Sequence, residues 1–195
     1  MKFKQLILVF AVFFTFSGCD VAKQLGSAFN FTQCKFDYHS ITNLSLSGTN
    51  LSSGVNAAKI LQLASLLTGN ASSIPLDFTL NLNVTNPNQT VASLNGLQYV
   101  LNIDDVQFTT GTVSHAFNVA GGETQVLPLS IGFDLATLLR GESKNAILNI
   151  AKNFLGLGSE KSNVTLQIKP SFNIGGYPAT SPVYIPVSFS FGGRK

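Results

Sequence analysis

The sequence predicts an all-β sandwich, and three observations support this fold class. Apolar residues occupy every second position from Ile74 to Val84, as in a strand with one dry face and one wet face. Turn signals recur about every ten residues between Leu94 and Phe133, with β-branched and aromatic residues between them. The strands do not alternate with helices, which argues against βαβ units. We therefore predict about seven to eight antiparallel strands with two inserted amphipathic helices.

The strand from Ile74 to Thr85 has the most regular pattern in the chain. Its polar positions alternate with its apolar ones, so one face is predicted to be wet. Asn86-Pro87-Asn88 then ends the strand, because proline has no N–H for a ladder and asparagine favours turns. We expect this element to be the central strand of the sandwich.

The other strands are predicted from shorter alternating runs. The first covers about residues 36–51, and the step from Tyr38 to Ile41 breaks its two-residue period, which indicates a bulge. The later strands are predicted at Leu94 to Ile103, Val106 to Phe108, His115 to Val119, Glu123 to Phe133, Val164 to Ile174 and Val183 to Phe191. Turns are predicted at Asp104-Asp105, Thr109-Thr110-Gly111, Ala120-Gly121-Gly122 and Gly175-Gly176-Tyr177-Pro178.

Two segments have a helical period instead. Near residues 56–68, apolar residues from Ile60 to Leu67 recur on one helix face, and Gly69 provides a stop. The second helix, near residues 143–155, has Ser143 as its predicted N-cap. Each helix is expected to cap an open end or edge of the sandwich, which would block unwanted strand pairing. The alternative is that the helices border an apolar cleft for a lipid or another hydrophobic ligand.

Residues 1–18 are predicted to be a signal peptide. Lys2 and Lys4 form a basic region, and an apolar run from Leu6 to Phe16 follows. This run covers about 16 Å as a helix, which is too short to cross the roughly 30 Å hydrocarbon core of a bilayer. Without Lys2 and Lys4, the 12 basic residues become ten against nine acidic ones, a net charge of about +1. Because the only basic cluster is the Arg194-Lys195 terminus, nucleic acid is not an expected partner.

The end of the signal peptide resembles the lipobox of bacterial lipoproteins. Ser17-Gly18-Cys19 matches the small residues and the cysteine of that motif, whereas Phe16 stands where leucine is usual. The resemblance implies that Cys19 is acylated and becomes the new N-terminus. Residues 19–35 are then a lipid-anchored tether, and Cys34 is a lone thiol. The alternative is an ordinary signal peptide followed by a Cys19–Cys34 disulfide.

The sequence offers little support for catalysis. His39 lies two residues from Asp37 on the same predicted strand face, as a possible metal or acid–base pair, but a surface pair without function is preferred. His115 lies on another candidate strand. Asp104-Asp105 has too few oxygens for calcium. We find no nucleophile elbow and no phosphate-binding loop, and so predict no catalytic residue, metal or cofactor.

Several blocks of the chain together resemble the LEA type 2 domain, which is related to the WHy (water stress and hypersensitive response) domain. Asn86-Pro87-Asn88 follows an alternating strand, and a hairpin with Gly111 comes next. The runs from Gly122 to Leu129 and from Tyr184 to Phe189 follow in the same order as in that family. The resemblance covers about residues 36 to 192. It implies an Ig-like or fibronectin-like β-sandwich, no enzymatic activity and an association with desiccation and stress tolerance.

We therefore expect residues 36–195 to form a LEA type 2-like domain held by its lipid anchor at a bacterial membrane. In a Gram-negative cell this is the periplasmic side of the inner or outer membrane. The expected role is non-catalytic protection under desiccation or osmotic stress. The alternatives are a lipid or hydrophobic-ligand binding module and an accessory subunit of an envelope complex.

Overall fold

The computed structural model describes residues 19–52, 65, 71–139, 144–154, 158 and 160–192. The strands within these ranges are β1 (Lys35–Leu46), β2 (Thr49–Asn50), β3 (Pro75–Thr85), β4 (Ala92–Leu94), β5 (Gly96–Ile103), β6 (Val106–Val113), β7 (Phe117–Val119), β8 (Thr124–Asp134), β9 (Lys161–Ile174), β10 (Tyr177–Thr180) and β11 (Ile185–Gly192). The helical segments longer than one residue are α1 over residues 19–32, α2 (Leu135–Leu139) and α3 (Lys144–Phe154).

The strands form a two-layered antiparallel sandwich, which confirms the predicted fold class. One sheet has the order β2-β1-β3-β8, and the other has the order β10-β9-β5-β6 with β11 also paired to β9. β4 and β7 form a separate two-stranded ribbon. Four of the eleven described strands have only two to four residues, which leaves seven long strands, as predicted.

β3 is the inner strand between β1 and β8, as its pattern predicts. Its inward side chains, from Leu76 to Val84, are all buried in the core. Its pairing with β8 runs without a shift from Pro75–Asp134 to Thr85–Thr124. Burying one large apolar side chain contributes about 1.5–3 kcal/mol, so five such residues specify which face of β3 points inward.

β1 is bulged where the sequence breaks its two-residue period. Its register against β3 shifts between Tyr38 and Ser40, and a second shift lies between Thr42 and Ser45. The predicted bulge is therefore confirmed, although the predicted strand divides into β1 and β2. The turn between them places Ser47 and Gly48 at φ values of 48° and 76°, which suits a two-residue hairpin.

β6 departs from the prediction, because it continues through Thr109-Thr110-Gly111 instead of turning there. The turn precedes β6, at Asp104 and Asp105, which both have positive φ. Gly111 lies opposite Tyr99, and a Cβ at Gly111 would collide with the ring of that buried tyrosine. The glycine therefore makes room for an aromatic ring and does not reverse the chain.

Prolines lie in three of the strands at the margins of the two sheets, whereas the margin strands β2 and β6 contain none. β8 is the last strand of the first sheet, and β10 and β11 both border the second sheet beside β9. Pro128, Pro178 and Pro186 lie in these three strands, and all three are exposed. Proline is tolerated at such margins because an edge strand leaves part of its N–H groups unpaired.

The helix predicted near 143–155 is confirmed as α3, which buries Ile147 and Ile150. The helix predicted near 56–68 lies outside the described residues, apart from Ser65, which is helical and exposed. Asp134 caps the short helix α2, since its Oδ1 accepts hydrogen bonds from the N–H groups of Ala136 at 2.9 Å and Ile74 at 2.7 Å.

The segment predicted to be a tether before β1 contains a helix that the sequence did not reveal, since residues 19–32 form α1. α1 buries Ala28 and Phe31 in the core, and the rest of the helix is exposed or partly exposed. Two buried positions give too weak a period to reveal a helix in the sequence. Among the described residues, no helix has both the length and the apolar composition needed to cross a membrane.

Candidate functional site at the helix-capped end

Helix α1 lies against one end of the sandwich and contacts two of its loops. The N–H of Gly175, in the turn between β9 and β10, donates to Oε1 of Gln24 at 2.7 Å. At the other end of α1, Nδ2 of Asn30 donates to Oγ1 of Thr90 at 2.7 Å and to the carbonyl of Val91 at 3.1 Å. We call α1, the loop at residues 86–91 and this turn the helix-capped end.

Phe31 fixes α1 to the core. Its side chain is fully buried and meets the rings of Phe36 and Phe117 edge to face. The ring centroids are 5.7 Å apart for Phe36 and 6.5 Å apart for Phe117. Such aromatic pairs contribute about 0.5–1.5 kcal/mol each beyond the burial of their area. α1 is therefore packed on the sandwich and does not merely follow the chain that leads to it.

Asn86 is a fully buried polar side chain at the exit of β3. Its Nδ2 donates to the carbonyls of Thr90 at 2.8 Å, Val119 at 3.1 Å and Ala120 at 3.2 Å. Its Oδ1 accepts from the backbone N–H and from Nδ2 of Asn88, both at 3.0 Å. A buried amide is stable only when it is bonded in this way, so asparagine is required here by the surrounding backbone.

Asn88 extends this network to two neighbouring segments. The N–H of Gly122, whose φ is 75°, donates to the carbonyls of Asn86 and Asn88, both at 3.0 Å. Nδ2 of Asn88 also donates to the carbonyl of Asn30 at 3.3 Å. The Asn-Pro-Asn triplet therefore ties the β3 exit to the β7–β8 turn and to the end of α1. We call this triplet the clamp, because its side-chain amides form hydrogen bonds mainly to backbone groups of the segments that it joins.

A polar groove of about 430 Å³ opens between α1 and β9. Its lining residues share small or neutral side chains: Gln24, Ser27, Ala28, Ser93, Asn95, Phe172, Asn173 and Gly176. Two of its polar groups have partners within the groove wall, because Oδ1 of Asn95 accepts from the N–H of Asn173 at 2.8 Å and Gln24 holds Gly175. None of the described residues that line the groove has an ionisable side chain, and its polar lining consists of amide and hydroxyl groups.

The two cysteines lie in opposite environments. Cys19 is exposed on α1, whereas Cys34 is buried, and its Sγ donates to the carbonyl of Asn30 at 3.5 Å. Burial raises the pKa of the Cys34 thiol to about 11, which keeps it protonated and unreactive near neutral pH. The helix separates the two residues by about 20 Å, and a disulfide needs Cα atoms within about 7 Å. The structure therefore excludes the alternative of a Cys19–Cys34 disulfide, since both thiols are free.

The residues considered for metal binding lie on two exposed parts of the chain. Asp37 and His39 are both exposed on β1, on either side of the shift that begins at Tyr38. His115 lies in the connection between β6 and β7, so its predicted place on a strand was wrong. Within the described ranges, no three His, Cys, Asp or Glu side chains come close enough to hold a metal ion.

Asp104 and Asp105 line a second polar cavity, of about 450 Å³, at the β5–β6 turn. Oδ1 of Asp104 accepts from the N–H of Asn163 at 2.8 Å, and the N–H of Asp104 donates to the carbonyl of Asn163 at 2.9 Å. The Asp104 carboxylate thus links the turn to β9. This is a structural role at a solvated turn, as the sequence predicts.

The sequence reasoning missed the residues by which α1 docks, namely Gln24, Asn30 and Phe31. The only local signal is the three-residue spacing of Ala28 and Phe31, which is too short to distinguish a packed helix from a linker.

The family comparison confirms the resemblance found in the sequence. Residues 81–176 match the family model LEA_2, late embryogenesis abundant protein. The matched range begins within β3 and ends at the β9–β10 turn, so it includes the clamp at Asn86-Pro87-Asn88. No curated protein matches the chain.

Three solved structures match the chain at low sequence identity. One is the crystal structure of a protein from Archaeoglobus fulgidus, with 16% identity over 82% of this chain and 99% of that chain and a TM-score of 0.40. Another is the solution structure of a protein from Arabidopsis thaliana, with 10% identity over 81% and 77% and a TM-score of 0.39. The third is the solution structure of a late embryogenesis abundant (LEA) protein, with 13% identity over 97% and 84% and a TM-score of 0.39.

Proposed function

Because the chain belongs to the LEA type 2 family through its residues 81–176, we propose that it is a non-catalytic, lipid-anchored protein of the bacterial cell envelope. Its role is to remain folded and to protect its surroundings when desiccation or osmotic stress removes water. Family membership supports a stress-related role. The amides of Asn86 and Asn88 at the helix-capped end hold loop backbone in place, which is a structural task.

The observation that carries this proposal is a set of hydrogen bonds between neutral side chains on the outer face of the first sheet. Nδ2 of Asn81, on β3, donates to the hydroxyls of Ser40 at 3.1 Å and Thr42 at 3.0 Å. The Oγ1 atoms of Thr85 and Thr124 are 2.8 Å apart. These bonds join neutral groups, which salt screens far less than ion pairs. Only 11% of the residues are charged, against about 25% in an average protein. Stability should therefore change little as ions concentrate in a drying envelope.

The position of Cys19 supports the lipid anchor. Its thiol is exposed at the first described residue, whereas Cys34 is protonated and buried, so a modifying enzyme can reach only Cys19. Several acyl chains on one residue give stable membrane attachment, at about 0.8 kcal/mol for each buried CH₂ group.

A deletion strain of the native bacterium tests this function. We expect the deletion to lower survival after drying, and the wild-type gene to restore it. Cys19→Ala should restore it poorly, because the protein is no longer held at the membrane. Mass spectrometry of the mature protein should find Cys19 at the N-terminus and acylated. A free Asp20 terminus, an unmodified Cys19, or a deletion strain that survives drying as well as the wild type would refute the proposal.

The cavities bear on the alternative of a hydrophobic-ligand module. The two described here, of about 430 and 450 Å³, have predominantly polar linings, which do not suit a lipid chain. Native mass spectrometry of protein purified from membranes tests this directly. We expect the mass of the acylated chain alone, and a retained lipid in addition to the covalent acyl groups would favour the alternative.

A further inference from the structure

Exposed hydrophobic residues gather at the helix-capped end. The described residues include eight large hydrophobic side chains that are exposed, and four of these lie on α1, in the loop at residues 86–91 or directly after the β9–β10 turn. These four, with their exposed fractions, are Leu25 (51%), Phe29 (63%), Val91 (46%) and Tyr177 (78%). Single exposed hydrophobics are ordinary, but a group of them beside one helix indicates an interaction surface.

The same helix carries the predicted anchor. Leu25 and Phe29 are four residues apart and therefore lie on the same side of α1. They follow Cys19 by six and ten residues, which corresponds to about 9 and 15 Å along a helix. Phe31 and Gln24 fix α1 to the sandwich, so a helix that is continuous from Cys19 joins the predicted anchor to the domain.

We propose that the helix-capped end is a membrane-contact surface, in which Leu25, Phe29 and Tyr177 enter the interfacial region of the bilayer that holds the Cys19 acyl chains. This inference rests on the proposed lipid anchor and adds an orientation to it. α1 lies along the membrane surface, and the β5–β6 turn at the far end of the sandwich points away.

The chemistry of the surface favours a bilayer over a protein partner. Interfacial helices bury an apolar face about 5–10 Å into the boundary between headgroups and acyl chains, and tyrosine suits this boundary because its hydroxyl stays in a polar layer. With a net charge of about +1, the mature chain has no strong electrostatic attraction to anionic lipids, so apolar contact dominates. The anchor also keeps the surface at a high effective concentration next to the bilayer, so even a weak apolar contact is enough to orient the domain.

Tryptophan fluorescence tests the orientation, because the chain contains no tryptophan and any introduced one is the sole reporter. Phe29→Trp and Tyr177→Trp place reporters on the proposed surface. Gln107→Trp is the matched control, since Gln107 is exposed next to the β5–β6 turn. β5 separates that turn from the groove by about 23 Å. Circular dichroism checks that all three variants are folded.

The full-length variants are produced in bacteria, purified from membranes and reconstituted into phosphatidylcholine vesicles that contain brominated lipid. We expect a blue-shifted emission and at least twofold stronger quenching for Phe29→Trp and Tyr177→Trp than for Gln107→Trp. Equal quenching of all three in acylated protein overturns the inference while leaving the proposed function intact. A blue shift that depends on protein concentration without vesicles also overturns it, because the surface then joins two copies of the chain.

A second arm keeps the test independent of natural acylation. If mass spectrometry finds Cys19 unmodified, the proposed lipid anchor fails. The chain from Cys19 onward is then coupled through Cys19 to vesicles that contain a maleimide lipid. Cys34 does not compete near neutral pH, because its thiol is buried and protonated. Stronger quenching of the surface reporters in this arm supports the membrane-contact surface, and equal quenching overturns it.

Discussion

The exit of β3 and the end of α1 meet at the helix-capped end, and each uses an asparagine amide to hold the backbone of a loop. Asn86 is fully buried and bonds three carbonyls, whereas Asn30 lies partly exposed and bonds Thr90 and Val91. The β3 exit was evident in the sequence, and α1 was not. Asparagine-to-backbone hydrogen bonds therefore occur both at the β3 exit, which the sequence pattern predicts, and at the end of α1, which the sequence pattern does not predict.

The difference lies in how each segment is stabilised. β3 buries every second side chain in a continuous core, which leaves a period in the sequence. α1 buries two side chains and adds hydrogen bonds to partners that are distant in sequence, such as Thr90 and Gly175. A hydrogen bond between segments leaves no local pattern, so only the structure shows it.

The largest expected effect comes from Phe31→Ala, which tests whether α1 belongs to the cooperative fold. Removing a fully buried ring that contacts Phe36 and Phe117 should lower the free energy of unfolding by about 4 kcal/mol. Urea unfolding monitored by circular dichroism measures this. If α1 unfolds alone and the sandwich keeps its midpoint, α1 is an appendage and the two regions are not coupled.

Phe29→Ala is the matched control on the same helix. Phe29 is exposed, so its removal should change the free energy of unfolding by less than about 0.5 kcal/mol. A large loss of stability in this variant would mean that Phe29 packs against the protein, and would also argue against the membrane-contact surface.

Asn86→Ala should have the next largest effect and lower the free energy of unfolding by about 3 kcal/mol. The substitution leaves the carbonyls of Val119 and Ala120 and the N–H of Asn88 without their side-chain partner. Chemical denaturation should show this loss, and hydrogen exchange should show faster exchange at the β7–β8 turn. Asn83→Ala, on the partly exposed outer face of the same strand, is the control and should be near neutral.

Gln24→Ala tests whether the hydrogen bond to Gly175 helps to hold α1 on the sandwich. We expect the free energy of local opening at this contact to fall by about 1 kcal/mol. The Gly175 N–H loses its acceptor, so its amide exchange should accelerate while the exchange of β3 amides stays unchanged. Ser27→Ala is the control, because the Ser27 hydroxyl bonds only within the helix, to the carbonyl of Gln24 at 3.0 Å. Unchanged protection of Gly175 in Gln24→Ala would show that Phe31 alone fixes α1.

The last effect is a dependence on pH at Cys34, which is absent near neutral pH. Burial raises the pKa of its thiol from 9.0 to about 11, so the folded state holds the proton more tightly than the unfolded state. This stabilisation is complete below pH 9 and is lost as the pH rises through 11. The free energy of unfolding should fall more steeply over this range in the wild type than in Cys34→Ala. Tyr99, whose pKa burial also raises, contributes equally to both proteins and cancels.

Much of the fold follows from local pattern, and the exceptions have physical causes. The bulge after Tyr38 was predictable, because a bulge changes the two-residue period itself. Gly111 was misread as part of a turn, since glycine also serves where a ring on the neighbouring strand needs room. The Asn-Pro-Asn triplet was recognised as a family feature, but its role as a clamp depends on carbonyls about thirty residues further along the chain, which no pattern identifies.

The prolines in β8, β10 and β11 have a further consequence, which bears on the proposed role under drying. As water leaves, copies of the chain become concentrated, and unpaired strand edges can join into intermolecular sheets. Pro128, Pro178 and Pro186 interrupt the donor row of β8, β10 and β11 at exposed positions. Neighbouring copies in concentrated protein are therefore hindered from continuing the sheets along these three strands, which favours separate molecules over an aggregate.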